Sequence, residues 1–262
     1  MPALLLDGSR HRARHARVPE RSRRPARKDF KQRKIALAVF RYPERGRGIP
    51  SGCLEVMPRD SSTTLRFARN DITAVLLAGG ESRRMGTDKA TIRFREKALW
   101  QVQLELLQKL EPSEILISAR TDPLWRPEDT PFVADIPLSR GPLSGLAASL
   151  AQMHTTHLLA LAIDMPFMTE EFLRCLCVKI EAGRGVVPKI GNRAEPLAAI
   201  YPREAEIDFR RALAGADFSL QSLTRRLVET GKLRAIHVTE QEKRFFLNVN
   251  EPADLKWPEP CK

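Results

Sequence analysis

Short apolar runs alternate with amphipathic segments from about residue 72 to the end of the chain. Apolar runs bounded by turn residues indicate buried strands, and apolar positions three or four residues apart indicate helices. These patterns predict strands at 72–77, 114–118, 132–134, 157–163, 185–190, 196–201 and 233–238. They predict helices at 97–110, 141–153, 169–182, 203–214, 220–230 and from 251 onward.

This alternation predicts an α/β fold, with a mostly parallel sheet and helices on both of its faces. The pair Gly191-Asn192 indicates a turn between two of the strands and therefore a hairpin or strand pair. Ligands in such folds bind beyond the carboxyl ends of the strands. Gly79, Asp135 and Asp164 each follow a predicted strand, so we expect them to share one rim of the sheet.

Charge divides the chain near residue 70. The 262 residues include 44 Lys+Arg and 32 Asp+Glu, a net charge of +12. Residues 1–70 hold 18 of the basic and 6 of the acidic residues, which leaves 26 of each in residues 71–262. Because an Arg-rich segment with little apolar content buries too little surface to fold, we predict a disordered extension over 1–70 and one domain over 71–262. An over-long start assignment, with Met57 as the later start, is part of this hypothesis.

Two other interpretations of residues 1–70 stay open. The segment could bind nucleic acid or an anionic surface, although it lacks the interleaved aromatic residues on which bases stack. It could also be an organelle transit peptide, although serine is sparse in it. The non-enzyme alternative for the whole chain is therefore nucleic-acid binding through this basic segment.

The lack of targeting signals and the interpretation of the cysteines predict a cytoplasmic protein. The longest apolar runs fall far short of the ~18 residues of a membrane-spanning helix. The first residues also lack the pattern of a secretory signal. Free cysteines tend to be buried, so we interpret all four as buried or inert thiols rather than as a disulfide framework. They are Cys53, Cys175, Cys177 and Cys261.

A glycine-rich loop follows the first strand of the predicted domain. Residues 77–90 read LAGGESRRMGTDKA, which is not a Walker A loop because no Gly-Lys-Ser/Thr is present. Gly79 and Gly80 allow a ligand to approach the backbone N–H groups. Arg83, Arg84 and Lys89 add positive charge. The loop therefore has the components of a phosphate-binding site.

The loop resembles the L-A-G-G-x-S-x-R-M-G-x-D-K signature of nucleotidyltransferases, and is most similar to that of the molybdenum cofactor guanylyltransferases. Further matches in chain order are Asp135, GPLSG at 141–145, DMP at 164–166, PLAAIY at 196–201 and NVNEP at 248–252. Together they span Ile72 to about Trp257. The resemblance implies a three-layer Rossmann-like fold. It also implies Mg²⁺-dependent transfer of GMP from GTP to the terminal phosphate of molybdopterin, with release of pyrophosphate.

The resemblance further implies roles for individual residues. The implied nucleotide-binding residues are Leu77, Ala78, Gly79, Gly80, Lys89, Asp135 and Asp164. Lys89, Arg84 and Asp164 would be catalytic, with Asp164 as the Mg²⁺ ligand. Asn248 and Asn250 would lie on the pterin and metal side. The residue types suit this chemistry, because the acceptor phosphate is already an anion and the obstacle is the approach of two polyanions.

Two positions depart from the family pattern. Ser118 stands where the family often has Asn, and Glu195 stands where it often has Gln or His. Another nucleotidyltransferase, such as a molybdopterin cytidylyltransferase or a sugar-phosphate enzyme, therefore stays open as the alternative. The implied partners are GTP and molybdopterin as substrates, with molybdoenzyme chaperones or cofactor-synthesis proteins. Neither a membrane nor a nucleic acid is expected as a partner.

Overall fold

Strands and helices alternate along the chain as the hydrophobic pattern predicts. The computed structural model describes residues 71–79, 88–135 and 139–249. Its strands are β1 (Ile72–Leu77), β2 (Arg93–Phe94), β3 (Lys97–Ala98), β4 (Glu114–Ala119), β5 (Phe132–Ala134), β6 (His157–Ala162), β7 (Gly185–Ile190), β8 (Arg193–Ala194), β9 (Ala198–Pro202) and β10 (Leu233–His237). Its α-helices are α1 (Leu99–Lys109), α2 (Pro142–Gln152), α3 (Glu170–Cys177), α4 (Glu206–Ala214) and α5 (Leu220–Glu229). Short 3-10 helices cover Lys89–Thr91, Arg203–Ala205 and Lys243–Phe246.

The central sheet has the strand order β10-β7-β9-β6-β1-β4-β5, with β8 paired to β7. Strands β5, β4, β1 and β6 are parallel, whereas β9 is antiparallel to both β6 and β7. The chain leaves β1 for β4 and β5 on one side and then returns to β6 on the other. The strand order therefore reverses beside β1, which is where ligand crevices form in open α/β sheets.

Two hydrophobic clusters cover the two faces of the sheet. Within β1, Ala74 and Leu76 face the cluster that includes residues of α1 and α3. Val75 and Leu77 face the cluster that includes residues of α2, α4 and α5. All six residues of β1 are buried, as expected for a strand covered on both faces. This arrangement confirms the predicted three-layer α/β fold with a mostly parallel sheet.

Helix α3 begins as predicted but ends earlier. The hydroxyl of Thr169 accepts a hydrogen bond from the N–H of Phe172 at 3.3 Å, which caps the helix. The predicted end at residue 182 is wrong, because the chain leaves the helix at Cys177 and forms a β-bridge between Glu181 and Arg184. On the same helix Cys175 is disulfide-bonded, which contradicts the expectation that the cysteines form no disulfides.

Strand pairing agrees with the prediction in one place and differs from it in another. The predicted strand pair around the turn at Gly191 is confirmed, because β7 pairs antiparallel with β9. The turn itself leads into the two-residue strand β8, and β9 also pairs along its length with β6. The hairpin of β2 and β3 was not predicted, because its turn passes through Arg95 and Glu96 with positive φ angles rather than through Gly or Asn. The predicted extension over 1–70 and the predicted helix from 251 lie outside the described residues.

The described residues all belong to one compact unit. No helix that they form combines the length and the apolar character needed to cross a bilayer.

Candidate functional site

Lys89 and Asp164 meet at the carboxyl edge of the sheet. Asp164 lies two residues beyond β6, and Lys89 opens a 3-10 helix. The Nζ atom of Lys89 lies 3.8 Å from Oδ2 of Asp164, and the two side chains are 23% and 22% exposed. Burial raises the pKa of the Asp164 carboxyl group, and the positive charge of Lys89 only partly opposes this effect. The carboxylate therefore lies where further positive charge would be favourable.

Hydrogen bonds to backbone carbonyls fix the segment around Asp164. The N–H of Val249 donates to the carbonyl of Asp164 at 2.9 Å. The buried side chain of Gln103 on α1 donates through Nε2 to the carbonyl of Met165 at 2.6 Å. The first of these bonds brings Asn248, whose side chain is exposed, beside the Asp164 loop. Asn250 lies outside the described residues.

Asp135 forms a second polar group at the same edge. Its Oδ2 accepts a hydrogen bond from the hydroxyl of Ser139 at 2.8 Å, and its Oδ1 accepts one from Ser118 at 3.4 Å. The N–H of Asp135 donates to the carbonyl of Ala119 at 3.0 Å, which continues the pairing of β5 with β4. The strand that carries Ser118 and the strand that precedes Asp135 therefore hold this carboxylate in place.

Gly79 and Gly145 allow the backbone to approach Asp135 closely. A Cβ atom at Gly145, in α2, would lie 2.6 Å from Oγ of Ser118 and 3.2 Å from Oδ1 of Asp135. A Cβ at Gly79 would lie 3.4 Å from Oδ2 of Asp135. Glycine at position 145 is therefore required for the packing of α2 against the Ser118–Asp135 pair.

The glycine loop begins with backbone groups that already pair within the sheet. The N–H of Ala78 donates to the carbonyl of Ser118 at 2.8 Å, and the carbonyl of Leu77 accepts from Ile163 at 3.1 Å. The backbone of Ala78 can therefore bind a ligand only by accepting a hydrogen bond at its carbonyl oxygen. Gly80 and Arg84, the other loop residues assigned by resemblance, lie outside the described residues.

The structure also identifies residues near the site that the sequence did not. Ser139 lies in a loop without a distinctive motif, so no sequence pattern pointed to its bond with Asp135. Gln103 had a signal that could have been used, because a fully buried glutamine on the apolar face of a helix is unusual. Glu195, the unexpected acid, is half-buried, and burial raises the pKa of its carboxyl group while Arg193 opposes this.

The residues at this edge suit a cation held by a single carboxylate. Within ranges 71–79, 88–135 and 139–249, no group of three or more His, Cys, Asp or Glu side chains is arranged to hold a metal ion. Asp164 instead offers one hard oxygen donor at the rim. This suits Mg²⁺, which keeps several waters and takes other ligands from substrate phosphates.

Sequence comparisons relate this chain to one family of known proteins. The model of a MobA-like NTP transferase domain matches residues 74–231. A probable molybdenum cofactor guanylyltransferase from Opitutus terrae is 33% identical over 70% of this chain and 92% of its own. A molybdenum cofactor guanylyltransferase from Syntrophotalea carbinolica is 31% identical over 71% of this chain and 90% of its own.

A solved structure agrees with these matches. The molybdopterin-guanine dinucleotide biosynthesis protein A of Archaeoglobus fulgidus has a TM-score of 0.57 and 25% identity, and the match covers 70% of this chain and 95% of that protein. Together with the sheet order and the Lys89–Asp164 pair, these matches show that the chain belongs to the family of MobA-like NTP transferases, which are nucleotidyltransferase enzymes.

Proposed function

We propose that this chain transfers GMP from GTP to the terminal phosphate of molybdopterin, giving molybdopterin guanine dinucleotide and pyrophosphate. The observation that carries the proposal is the Lys89–Asp164 pair, 3.8 Å apart at the carboxyl edge of the sheet. A lysine and a carboxylate together at this edge support the binding of a nucleoside triphosphate there. The names of the relatives from Opitutus terrae and Syntrophotalea carbinolica support guanylyl transfer.

The reaction needs charge neutralisation rather than a protein nucleophile. An oxygen of the acceptor phosphate attacks the α-phosphorus of GTP, the bond from that phosphorus to the β-bridging oxygen breaks, and pyrophosphate leaves. Lys89 would donate hydrogen bonds to the phosphate oxygens, and by resemblance Arg84 would add positive charge near the leaving group. Asp164 would hold Mg²⁺, which when bound neutralises phosphate charge and aligns the reacting oxygens.

The nucleotide side of the site has its own residues. The Asp135 carboxylate, oriented by Ser118 and Ser139, keeps lone pairs that can accept hydrogen bonds from the base or ribose. Gly79 lies close to Asp135 in space, and the backbone of Leu77, Ala78 and Gly79, with Gly80 by resemblance, would line the nucleotide. Asn248, brought to Asp164 by the Val249 hydrogen bond, and Asn250 would lie on the pterin side.

The same proposal extends to the protein's surroundings. GTP and molybdopterin are the substrates, and molybdoenzyme chaperones or cofactor-synthesis proteins are the partners that supply the pterin and take the product. The working domain covers residues 71–262, which contain the matched range 74–231. We also propose that the protein acts in the cytoplasm.

Nucleotide choice gives the direct test. The full-length chain is incubated with Mg²⁺, molybdopterin and either GTP or CTP, and the dinucleotide product is identified by mass alongside pyrophosphate release. We expect the guanine dinucleotide, with CTP reacting at least about a hundredfold more slowly in kcat/KM. Faster reaction with CTP would replace this proposal with a cytidylyltransferase, which the departure at Ser118 left open.

A further inference from the structure

Asp88 uses both oxygens of its carboxylate around the turn that carries Lys89. Its Oδ1 accepts a hydrogen bond from the N–H of Ala90 at 3.0 Å, which caps the 3-10 helix Lys89–Thr91. Its Oδ2 accepts a hydrogen bond from the indole N–H of Trp125 at 2.8 Å. The direction in which the Lys89 side chain leaves this turn therefore depends on a carboxylate that Trp125 holds.

Trp125 is itself fixed by its neighbours. Its indole stacks on that of Trp100 in α1, with ring centroids 5.5 Å apart and planes at 19°. The next residue, Arg126, binds both carboxylate oxygens of Asp122 at 2.6 and 2.7 Å. It also donates to two backbone carbonyls of the same loop at 3.1 and 2.7 Å. A side chain held in this way loses little conformational freedom when it makes its hydrogen bond.

The loop that carries Trp125 links the two parts of the site. It runs from β4, which carries Ser118, to β5, which is followed by Asp135. The indole of Trp125 extends from this loop to the turn that carries Lys89, whose side chain points toward Asp164. The loop therefore joins the nucleotide side of the site to Lys89.

We propose that Trp125 is a positioning residue, whose indole N–H acts through Asp88 to hold Lys89 in place for the phosphate groups of the nucleotide. The proposal rests on the proposed function, which gives Lys89 its phosphate contact. A positioning role differs from a purely structural one, because it affects binding of the triphosphate and leaves binding of the nucleoside unchanged.

The variant Trp125→Phe separates the two parts of this side chain. Phenylalanine keeps an aromatic ring that can stack on Trp100 but has no N–H to donate to Asp88. We expect the affinity for GTP to fall about tenfold, the effect of one lost charge-assisted hydrogen bond, while the affinity for guanosine stays the same. Titration calorimetry on the full-length chain measures both. Equal losses for GTP and guanosine would overturn the proposal.

A second background tests whether the effect passes through Lys89. In a Lys89→Gln chain the cation is already lost, so adding Trp125→Phe should change the affinity for GTP by less than about twofold. If the Trp125 substitution costs the same tenfold in both backgrounds, Trp125 does not act through Lys89 and the proposal fails.

Two further variants complete the experiment. Leu124→Ala alters the neighbouring, fully exposed side chain and should leave the affinity for GTP unchanged. Asp88→Asn keeps an acceptor for the Ala90 N–H but replaces the other oxygen with an amide that cannot accept from Trp125, so it should reproduce the loss that is specific to the triphosphate. This variant gives the answer even if Trp125→Phe fails to fold.

The outcomes also separate this proposal from the proposed function. A wild-type chain that binds GTP with this dependence on Trp125 but transfers no GMP to molybdopterin would contradict the function and support the positioning role. A chain that transfers GMP, with equal GTP affinity in the wild type and in both the Trp125→Phe and Asp88→Asn variants, would support the function and refute the positioning role.

Discussion

At the scale of single residues, Asp164 carries its charge where its surroundings favour the neutral carboxyl. Burial raises the pKa of this group, and Lys89 compensates only in part. Such a residue costs folding free energy when it is ionised, so it is better explained by function than by stability. Its place directly after a buried strand, in contact with a lysine, agrees with a role as the ligand of a cation.

The variant Asp164→Asn tests whether the charge of Asp164 serves activity at a cost in stability. The amide keeps the size of the side chain but removes the charge, so we expect GMP transfer to fall by roughly three orders of magnitude. We also expect a thermal unfolding midpoint at pH 7 that is no lower than that of the wild type. Pyrophosphate release and calorimetry measure the two effects.

The exposed Asp129 offers a matched control for this substitution. Asp129→Asn removes a charge of the same kind from an exposed side chain, which accepts a hydrogen bond from its neighbour Thr130, and should leave GMP transfer within about twofold of the wild type. An Asp164→Asn chain that is folded and fully active would rule out the metal-binding role.

The shared edge of Asp135 and Asp164 could be predicted from the sequence, whereas the contacts that support them could not. Residues that follow parallel strands share one edge of the sheet, so position along the chain is sufficient for Asp164 and Asp135. The bond from Trp125 to Asp88 joins residues 37 positions apart through a loop without regular structure. Nothing in local spacing predicts such a contact, because it depends on how the loop folds on Arg126.

At the scale of elements, Gly185 shows how closely two strands of the sheet approach each other. A Cβ atom at this position would lie 1.9 Å from the carbonyl oxygen of Ile200 on β9. Gly185 opens β7, and the next residue, Val186, pairs with Ile200 across the same contact. A glycine is therefore needed here for β7 and β9 to come together.

Gly185→Ala should strongly destabilise the protein. The added methyl group would collide with backbone rather than with a flexible side chain, so we expect the free energy of unfolding to fall by about 3 kcal/mol or more. Urea denaturation followed by circular dichroism measures this. Gly215→Ala is the control, because its new Cβ would lie 3.4 Å from the nearest atom, and its effect should stay below about 1 kcal/mol. Equal effects of the two substitutions would contradict the steric explanation.

The elements that could be predicted are those that stand out as a distinct apolar pattern in the sequence. The bounds of β1, β5 and β7 agree with the prediction, because each of these strands begins with a short apolar run that is bounded by turn residues. The pairing of β9 with β7 was predicted from the turn between them, whereas its pairing with β6 was not, because that pairing depends on contacts between distant parts of the chain. The early end of α3 was missed because apolar residues continue beyond Cys177 with helical spacing.

At the scale of the whole molecule, His157 couples stability to pH. It opens β6, is 3% exposed, and its Nε2 lies 3.1 Å from the carbonyl of Glu181. Burial lowers the pKa of His157 below its usual 6.5, although Glu204 and Asp71 oppose this. The unfolded chain therefore takes up a proton before the folded one does, and the stabilisation by neutral His157 is lost as the pH falls below about 6.5.

His157→Gln should remove this part of the pH dependence. Glutamine does not titrate and keeps an N–H donor for the Glu181 carbonyl. We expect the wild type to lose more unfolding free energy than the variant between pH 7.5 and pH 5, measured by urea denaturation at each pH. The control, His154→Gln at an exposed position, should follow the wild type. A wild type and His157→Gln chain with parallel pH curves would show that His157 does not titrate differently on folding.

Charge distribution separates the first part of the chain from the part that carries the site. The net charge of +12 lies entirely in residues 1–70, whereas residues 71–262 hold 26 basic and 26 acidic residues. Every site residue that the structure describes lies between Leu77 and Asn248. The positive charge that the proposed reaction uses is local, at Lys89 and, by resemblance, at Arg84.

A chain shortened to begin at Met57 should therefore keep GMP transfer and GTP affinity within about twofold of the full-length protein. Activity measured as dinucleotide formation, with circular dichroism to verify folding, tests this. If the basic segment binds nucleic acid instead, the full-length chain should bind RNA with a steep dependence on salt, and shortening should abolish that binding. A folded, shortened chain that no longer binds GTP would show that residues before Met57 contribute to the site and that the domain boundary near residue 70 is wrong.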